Sequence, residues 1–328
     1  MKQSSPLIIV RGAGDLASGV LAVIHISGFR VLALETANPS AIRRTVAFSE
    51  AVRLGHCIIE GIEARLIAKE QAAAVLSAND SESGADTTVA LHGSEAITTV
   101  LSGAEVIATG INTLATETGA ATDSKANPTS FIPIAVDPTG ELIDILHPAA
   151  VVDAVIAKKN CGTRLDMAPL VIALGPGFTA GKDAHIVIET MRGHNLARLI
   201  YRGTALPNTG VPGLVGGESV LRVIHAPAEG TLRVIHDIGS SVTRGEVIAR
   251  IIQADGSIID VAASLNGIIR GMLSDGFVVR RGLKMADIDP RLTELNNCFT
   301  ISDKARALGG AVLTALLSRG IVPYPSLH

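Results

Sequence analysis

The sequence predicts an α/β chain: a mostly parallel sheet domain, then a small all-β domain, then a C-terminal helix. Three observations carry this expectation. The chain opens on a strand, a glycine turn, an apolar-periodic helix and a second strand. Its apolar residues, 47% of 328, are almost all aliphatic, with 2% aromatics and no Trp. Late in the chain, two sets of three glycines repeat the same intervals. A core built from Ala, Val, Ile and Leu suits buried parallel strands covered by helices. The length admits two or three domains with a sizeable core.

The opening unit runs from a strand at 7–11 through Gly12, Ala13 and Gly14 into a periodic stretch ending at Ile26, with a turn at Gly28 and a second strand ending at Glu35. This is the form of a Rossmann-like nucleotide-binding βαβ unit. Gly12 and Gly14 permit a tight turn and close backbone approach, and Asp15 opens a helix whose first N–H groups are free for a phosphate. Glu35, 21 residues after Gly14, is placed to hold a ribose hydroxyl. The same turn also serves helix–sheet packing with no ligand at all.

Further short apolar runs at 131–136, 151–155, 170–174 and 185–189 read as strands bounded by turn residues. They extend the Rossmann-like domain over 1–205. Within it, 76–130 is rich in Ser, Thr, Ala, Gly and Asp without a strong period, and reads as an insertion, either a surface excursion or a lid.

Polar loops follow these strands. In a parallel sheet they would share one crevice with the first glycine turn. Gly175 and Gly177 would offer N–H groups to an anion, Arg164 and Arg192 would offer guanidinium forks, and His194 and Asn195 would complete the set. The plainer readings are an Arg164–Asp166 pair and a surface His194. Asp183, His185 and Glu189 alternate along one strand, but nothing else fixes a coordination sphere, so no metal site is assigned.

The catalytic residues are not fixed by any motif. Neither a nucleophile–base arrangement nor a Walker loop is present, and the candidates are Cys161, Cys298 and His194. Two lysines precede Cys161 and would favour its thiolate, and Cys298 falls near a helix N-terminus. Each cysteine is equally readable as an inert buried hydrophobe. With Cys57 they number three, which makes neither a disulfide framework nor a paired zinc signature.

Residues 203–217 carry five glycines and two prolines and mark a boundary. Beyond it, over 218–290, Gly230, Gly239 and Gly245 are answered by Gly267, Gly276 and Gly282. Each copy is too small to bury its own apolar face, so the two must pack together. The pattern resembles the barrel-sandwich hybrid fold of biotinyl and lipoyl carrier domains. Those carriers present a lysine at the hairpin between halves; here 253–260 has none and Lys284 lies elsewhere. The resemblance therefore implies a binding or docking module without a swinging arm. In the final segment, 291–328, a helix is expected over 302–319 with Ser302 or Asp303 as its N-cap.

A net charge of −3 and few aromatics argue against nucleic acid. No signal-type segment opens the sequence and no apolar run is long enough to span a bilayer, so the expected setting is cytoplasmic and reducing, away from membranes. A homo-oligomer is compatible with the composition.

Several blocks together carry a family resemblance: 10–19, 43–52, 162–177, Arg192 to Leu196, Pro207 to Gly210 and 298–305. They resemble the YqeB-type accessory proteins of the selenium-dependent molybdenum hydroxylase system, and the likeness runs through nearly the whole chain. It implies a maturation role: binding or handling a molybdenum cofactor or nucleotide, with a molybdenum hydroxylase or its maturation proteins as partner. The cofactors this admits are a molybdopterin-type cofactor or NAD(P). Sulfur or selenium transfer would ask for an accessible thiolate. Two alternatives stand beside it, an NAD(P)-dependent oxidoreductase resting on Gly12, Gly14 and Glu35, and a scaffold that docks the hydroxylase through its β domain. The sequence departs from the family pattern before Phe131, where a shorter connection is expected.

Overall fold

The computed structural model describes residues 5–78, 131–211 and 213–324. Of the expected lid or insertion over 76–130, residues 76–78 end a helix and 79–130 lie outside the described residues.

Nine strands form one large sheet. They are β1 (Leu7–Arg11), β2 (Arg30–Glu35), β3 (His56–Ile59), β4 (Ile62–Ile67), β5 (Ile132–Val136), β6 (Ala150–Asp153) and β7 (Leu170–Leu174), followed, after a short β8 (Thr179–Ala180), by β9 (Ile186–Ile188) and β10 (Leu199–Ile200). Their order is β10-β9-β7-β6-β1-β2-β5-β4-β3, with β1 at the centre. The interior pairs run parallel, but β3 with β4 and β9 with β10 are antiparallel hairpins that close the two edges. A separate two-stranded ribbon joins β8 to β11 (Gly203–Thr204).

Among the described residues five α-helices cover the sheet: α1 (Asp15–Ile26), α2 (Glu50–Leu54), α3 (Ala72–Ala78), α4 (Glu141–Leu146) and α5 (Asp303–Ser318). Side chains alternate across each strand. Ile8 and Val10 point into the core shared with α1 and α5, while Ile9 points to α3 and α4. A Cβ on Gly19 of α1 would strike the Ala305 backbone, and one on Gly309 would strike the Gly19 carbonyl. These two glycines are what let α5, from the far end of the sequence, lie directly on α1. Ser302 caps α5, its hydroxyl accepting from the Ala305 N–H at 3.2 Å.

The second region comprises β12 (Val223–His225), β13 (Gly230–Val234), β14 (Ser241–Val242), β15 (Val247–Ile252), β16 (Ile258–Ala262), β17 (Gly267–Met272), β18 (Val278–Val279) and β19 (Lys284–Asp289). They make two four-stranded antiparallel sheets, β12-β19-β17-β14 and β16-β15-β13-β18, around a core that includes Leu232, Ile251, Ile269 and Ile288. The glycine repeat has a structural counterpart. Gly230 and Gly267 each open a strand where a Cβ would strike a backbone carbonyl of the neighbour, that of Ile252 and of Asp289.

The expected fold class, a Rossmann-like mostly parallel sheet followed by a biotinyl/lipoyl-like barrel-sandwich domain, is corrected here. The molecule is mixed α/β with a large mixed sheet. Between β6 and β7 there is only a 3-10 turn at Leu165–Met167 where a doubly wound fold would carry an α-helix, and the hairpin edges are foreign to that layout. On the face that α1 covers, α5 lies beside it and extends the cover over β7 and β9.

The β region docks on the sheet through the segment after β2. Arg44 Nε donates to the Met272 carbonyl at 2.7 Å, the Met272 N–H donates to the Ile42 carbonyl at 2.7 Å, and Arg44 pairs with Asp237 at 2.5 Å.

Candidate functional site

The docking segment and the β region wall off a cavity of about 420 Å³ at the carboxyl ends of β1, β2 and β6. Its floor is the glycine turn. Gly12 adopts φ +91°, donates its N–H to the Leu34 carbonyl at 2.7 Å, and leaves only 3.1 Å between a would-be Cβ and the Ala154 carbonyl oxygen. Only glycine suits both the left-handed backbone and that approach. Gly14 precedes α1 with ordinary φ, and a Cβ there meets nothing closer than Ala41 at 3.9 Å; its bare face opens to the cavity.

Glu35 is turned back on the turn. Its carboxylate accepts from the Ala13 N–H and from its neighbour Thr36 N–H, each at 2.8 Å. It thus occupies a donor that the Rossmann-like reading had left for a ligand.

The far wall comes from β17 and β19. Asp287 is buried and accepts two bonds from Arg222, at 2.9 and 3.1 Å, and two from Arg270, at 2.6 and 3.1 Å. One carboxylate thus orients two guanidinium groups. Lys284, also in this wall, has no ion pair among the described residues and is exposed to the cavity. Desolvation by the walls lowers its ammonium pKa; Asp287 opposes the shift and Arg270 adds to it. Arg43 lies between the walls at 7% exposure. It pairs with Asp15 at 3.1 Å and donates to the Asn297 carbonyl at 2.8 Å, while its Nε has no partner among the described residues.

One side of the cavity is the loop 154–156, in which Ile156 adopts φ +57°. A β-branched residue rarely takes that conformation. The loop is pinned from beneath by buried Arg11, Asp153 and Thr163: Arg11 pairs with Asp153 at 3.2 Å, Thr163 donates to Asp153, and Arg11 also reaches the Cys161 carbonyl at 3.1 Å.

Of the residues expected at the site, Gly12, Gly14, Asp15 and Glu35 come together. Arg192 lies in an adjoining cavity, in a bidentate pair with Asp303 at 2.9 and 3.0 Å that draws the Asp303 carboxyl down to about 2. The others do not join them. Gly175 and Gly177 answer packing demands, since a Cβ would come within 2.7 Å of the Thr190 hydroxyl in one case and 2.6 Å of Lys159 in the other. Arg164 pairs with Asp166 at 3.0 Å on the surface, and Asp166 lines a cavity at the opposite ends of the strands. The extended crossover after β6 carries the chain back across the sheet before Arg164 is reached. His194 and Asn195 are exposed outside the cavities, Asn195 accepting from Arg198 at 3.2 Å.

The cysteines separate in the same way. Cys161 is exposed but lines none of these cavities. Cys298 is buried at 1% exposure, and desolvation raises its pKa. His185 and Asp183 accept backbone N–H bonds from Val171 and Thr179, and Glu189 accepts from Met191 and Leu206. Among the described residues no group of three His, Cys, Asp or Glu is placed to hold a metal.

Arg43, Arg270 and Lys284 were not foreseen as site residues. Arg43 stands in a block that carries the family resemblance, which is a signal for it. Arg270 and Lys284 carry none, because only the docking of the two regions brings them to the glycine turn.

Fold and site together define a mixed α/β protein whose central-strand crevice is walled by an all-β region and lined by cations. No known family's profile matches the chain. It is similar to the uncharacterized protein YqeB of Escherichia coli K12, 43% identical over 321 residues, or 97% of this chain. That supports a YqeB-type protein. The chain spans about half, 49%, of that relative's length. Among solved structures, a succinylglutamate desuccinylase/aspartoacylase from Rhodobacter sphaeroides matches with 23% identity and TM-score 0.20 over 22% of each chain. A succinylglutamate desuccinylase from Silicibacter matches with 14% identity and TM-score 0.20, over 45% of this chain and 59% of that one. Likenesses this slight carry no argument about activity. No helix among the described residues is long and apolar enough to cross a membrane.

Proposed function

We propose that the chain is an accessory factor that holds a small phosphorylated cofactor in the crevice, within the maturation of selenium-dependent molybdenum hydroxylases. The observation that carries the binding half is Lys284, a cation without an ion pair among the described residues, facing the glycine turn across a cavity of about 420 Å³ beside the guanidinium of Arg270. A phosphate there would meet Lys284 and Arg270 from one side and the start of α1 from the other. A molybdopterin-type cofactor is such an anion, and these groups fit its phosphate. The hydroxylase half rests on the sequence blocks shared with YqeB-type proteins.

Glu35 favours a phosphate-first reading over a nicotinamide dinucleotide, because its carboxylate is engaged by Ala13 and Thr36. The test is native mass spectrometry of the protein purified anaerobically from its host, with elemental analysis for molybdenum and selenium. A retained pterin phosphate or pterin nucleotide is expected. A retained nicotinamide dinucleotide, or a ligand-free chain bound to a hydroxylase, would overturn the assignment in favour of an oxidoreductase or a docking scaffold.

A further inference from the structure

A second cavity, of about 440 Å³, adjoins the first and shares Arg43 and Arg270 with it. It lies where the start of α5 meets the segment before β12. Four guanidinium groups line it, those of Arg43, Arg192, Arg270 and Arg291, against one carboxylate, Asp303. All four are held by acids that fix their direction: Arg192 by Asp303, Arg270 by Asp287, Arg291 by Asp289 at 2.7 Å and Arg43 by Asp15 at 3.1 Å. Arg43 is also more than nine-tenths buried, and its Nε has no partner among the described residues. The Ser302–Asp303 end of α5 also faces this space.

An ion-pair network built only for stability would match its charges within the cavity wall. Here Asp287 and Asp289 are themselves buried, at 2% and 1% exposure, and stand outside the lining of this second cavity, while Asp287 and the Arg43 partner Asp15 line the first. The lining keeps an excess of donors, which is the arrangement that binds an anion. From this juxtaposition we infer that the second cavity is an anion subsite, and that the two cavities together take one small molecule bearing two separated anionic groups, with Arg43 and Arg270 between them. This rests on the proposed function for the first anion and adds the class of ligand: a bis-anionic compound, longer than a simple monophosphate.

The test compares fructose 6-phosphate with fructose 1,6-bisphosphate as probes, by titration calorimetry on the full chain. The bisphosphate is expected to bind about tenfold or more tighter. Arg192→Gln and Arg291→Gln should each erase that advantage while leaving the monophosphate affinity unchanged; the thermal midpoint should hold in Arg192→Gln, whose pair with Asp303 is exposed, and fall in Arg291→Gln, which strands the buried Asp289 carboxylate. Lys284→Ala should weaken both probes. Equal affinity for the two probes, or an advantage that survives both arginine substitutions, overturns the second subsite and leaves the first standing. Absence of binding by either probe overturns the first site and the second with it.

Discussion

The two ends of the large sheet each carry a cavity, and they differ in kind. At the amino ends of the strands lies the larger space, about 920 Å³, walled mainly by residues such as Leu7, Leu146, Pro148 and Met167 with Arg30 and Asp166 among them. At the carboxyl ends lies a space less than half that size, about 420 Å³, floored by a left-handed glycine and walled by Lys284, Arg270 and Arg43. Size does not set the two apart as the proposal needs; convergent charge and constrained backbone do. Among the described residues, the difference arises because only the carboxyl end receives a second region of the chain. Arg30 at the other end is already bonded to the Leu76 carbonyl at 2.7 Å, while Lys284 is free of ion pairs among the described residues.

The sharpest way to break this contrast is to remove Arg11, which supports the carboxyl end. Arg11→Ala strands the buried Asp153 carboxylate and should cost about 3–5 kcal/mol in chemical denaturation. A loss below about 1 kcal/mol would mean that the network does not hold the loop.

The next test concerns the amino end, where α1 finishes. Burial lowers His25 from its ordinary 6.5 to about 4. The unfolded chain therefore binds more protons between these values, so stability should be complete above about pH 6.5 and fall as the pH drops toward 4, by up to about 3 kcal/mol. His25→Gln should flatten the denaturation midpoint across that window. An unchanged slope in the variant would assign the acid sensitivity elsewhere.

A smaller effect separates the two cavities by function. Lys284→Ala should weaken inorganic phosphate binding about tenfold, followed by phosphorus NMR, with no change in fold. Arg164→Ala, in the exposed pair with Asp166, should shift stability by less than about 0.5 kcal/mol and leave phosphate affinity alone. The reverse ranking would move the site to the amino end. Finally, thiol titration of the native protein should label Cys161 rapidly, and Cys57 and Cys298 only on unfolding. Burial pushes Cys57 up to about 11 and raises Cys298 as well.

What the sequence revealed and what it hid follow from the range of the interactions. The opening strand, turn and helix are local, and Gly12 and Gly14 are where their spacing places them. Ser302 as the cap of α5 is likewise a local signal. The antiparallel edges β3–β4 and β9–β10 were missed because parallel and antiparallel strands share the same short apolar runs. The polar stretch before β7 was expected at the carboxyl ends of the strands, but nothing in it signals that the chain crosses back over the sheet first, and that crossing takes Arg164 away from the glycine turn. Gly175 and Gly177 looked like anion binders because a glycine admitted for close packing is indistinguishable in sequence from one admitted for a ligand. Lys284 and Arg270 were invisible as site residues, since their role depends on the docking of Arg44 against Met272 and Asp237, more than 190 positions away.

The most direct test of the central claim is amide NMR mapping during a titration with inorganic phosphate. The account predicts that the largest shifts fall at Gly14, Asp15, Arg270 and Lys284, around the carboxyl-end crevice. Shifts concentrated instead at Leu7, Ala149 and Met167 would place the anion in the larger cavity and contradict it.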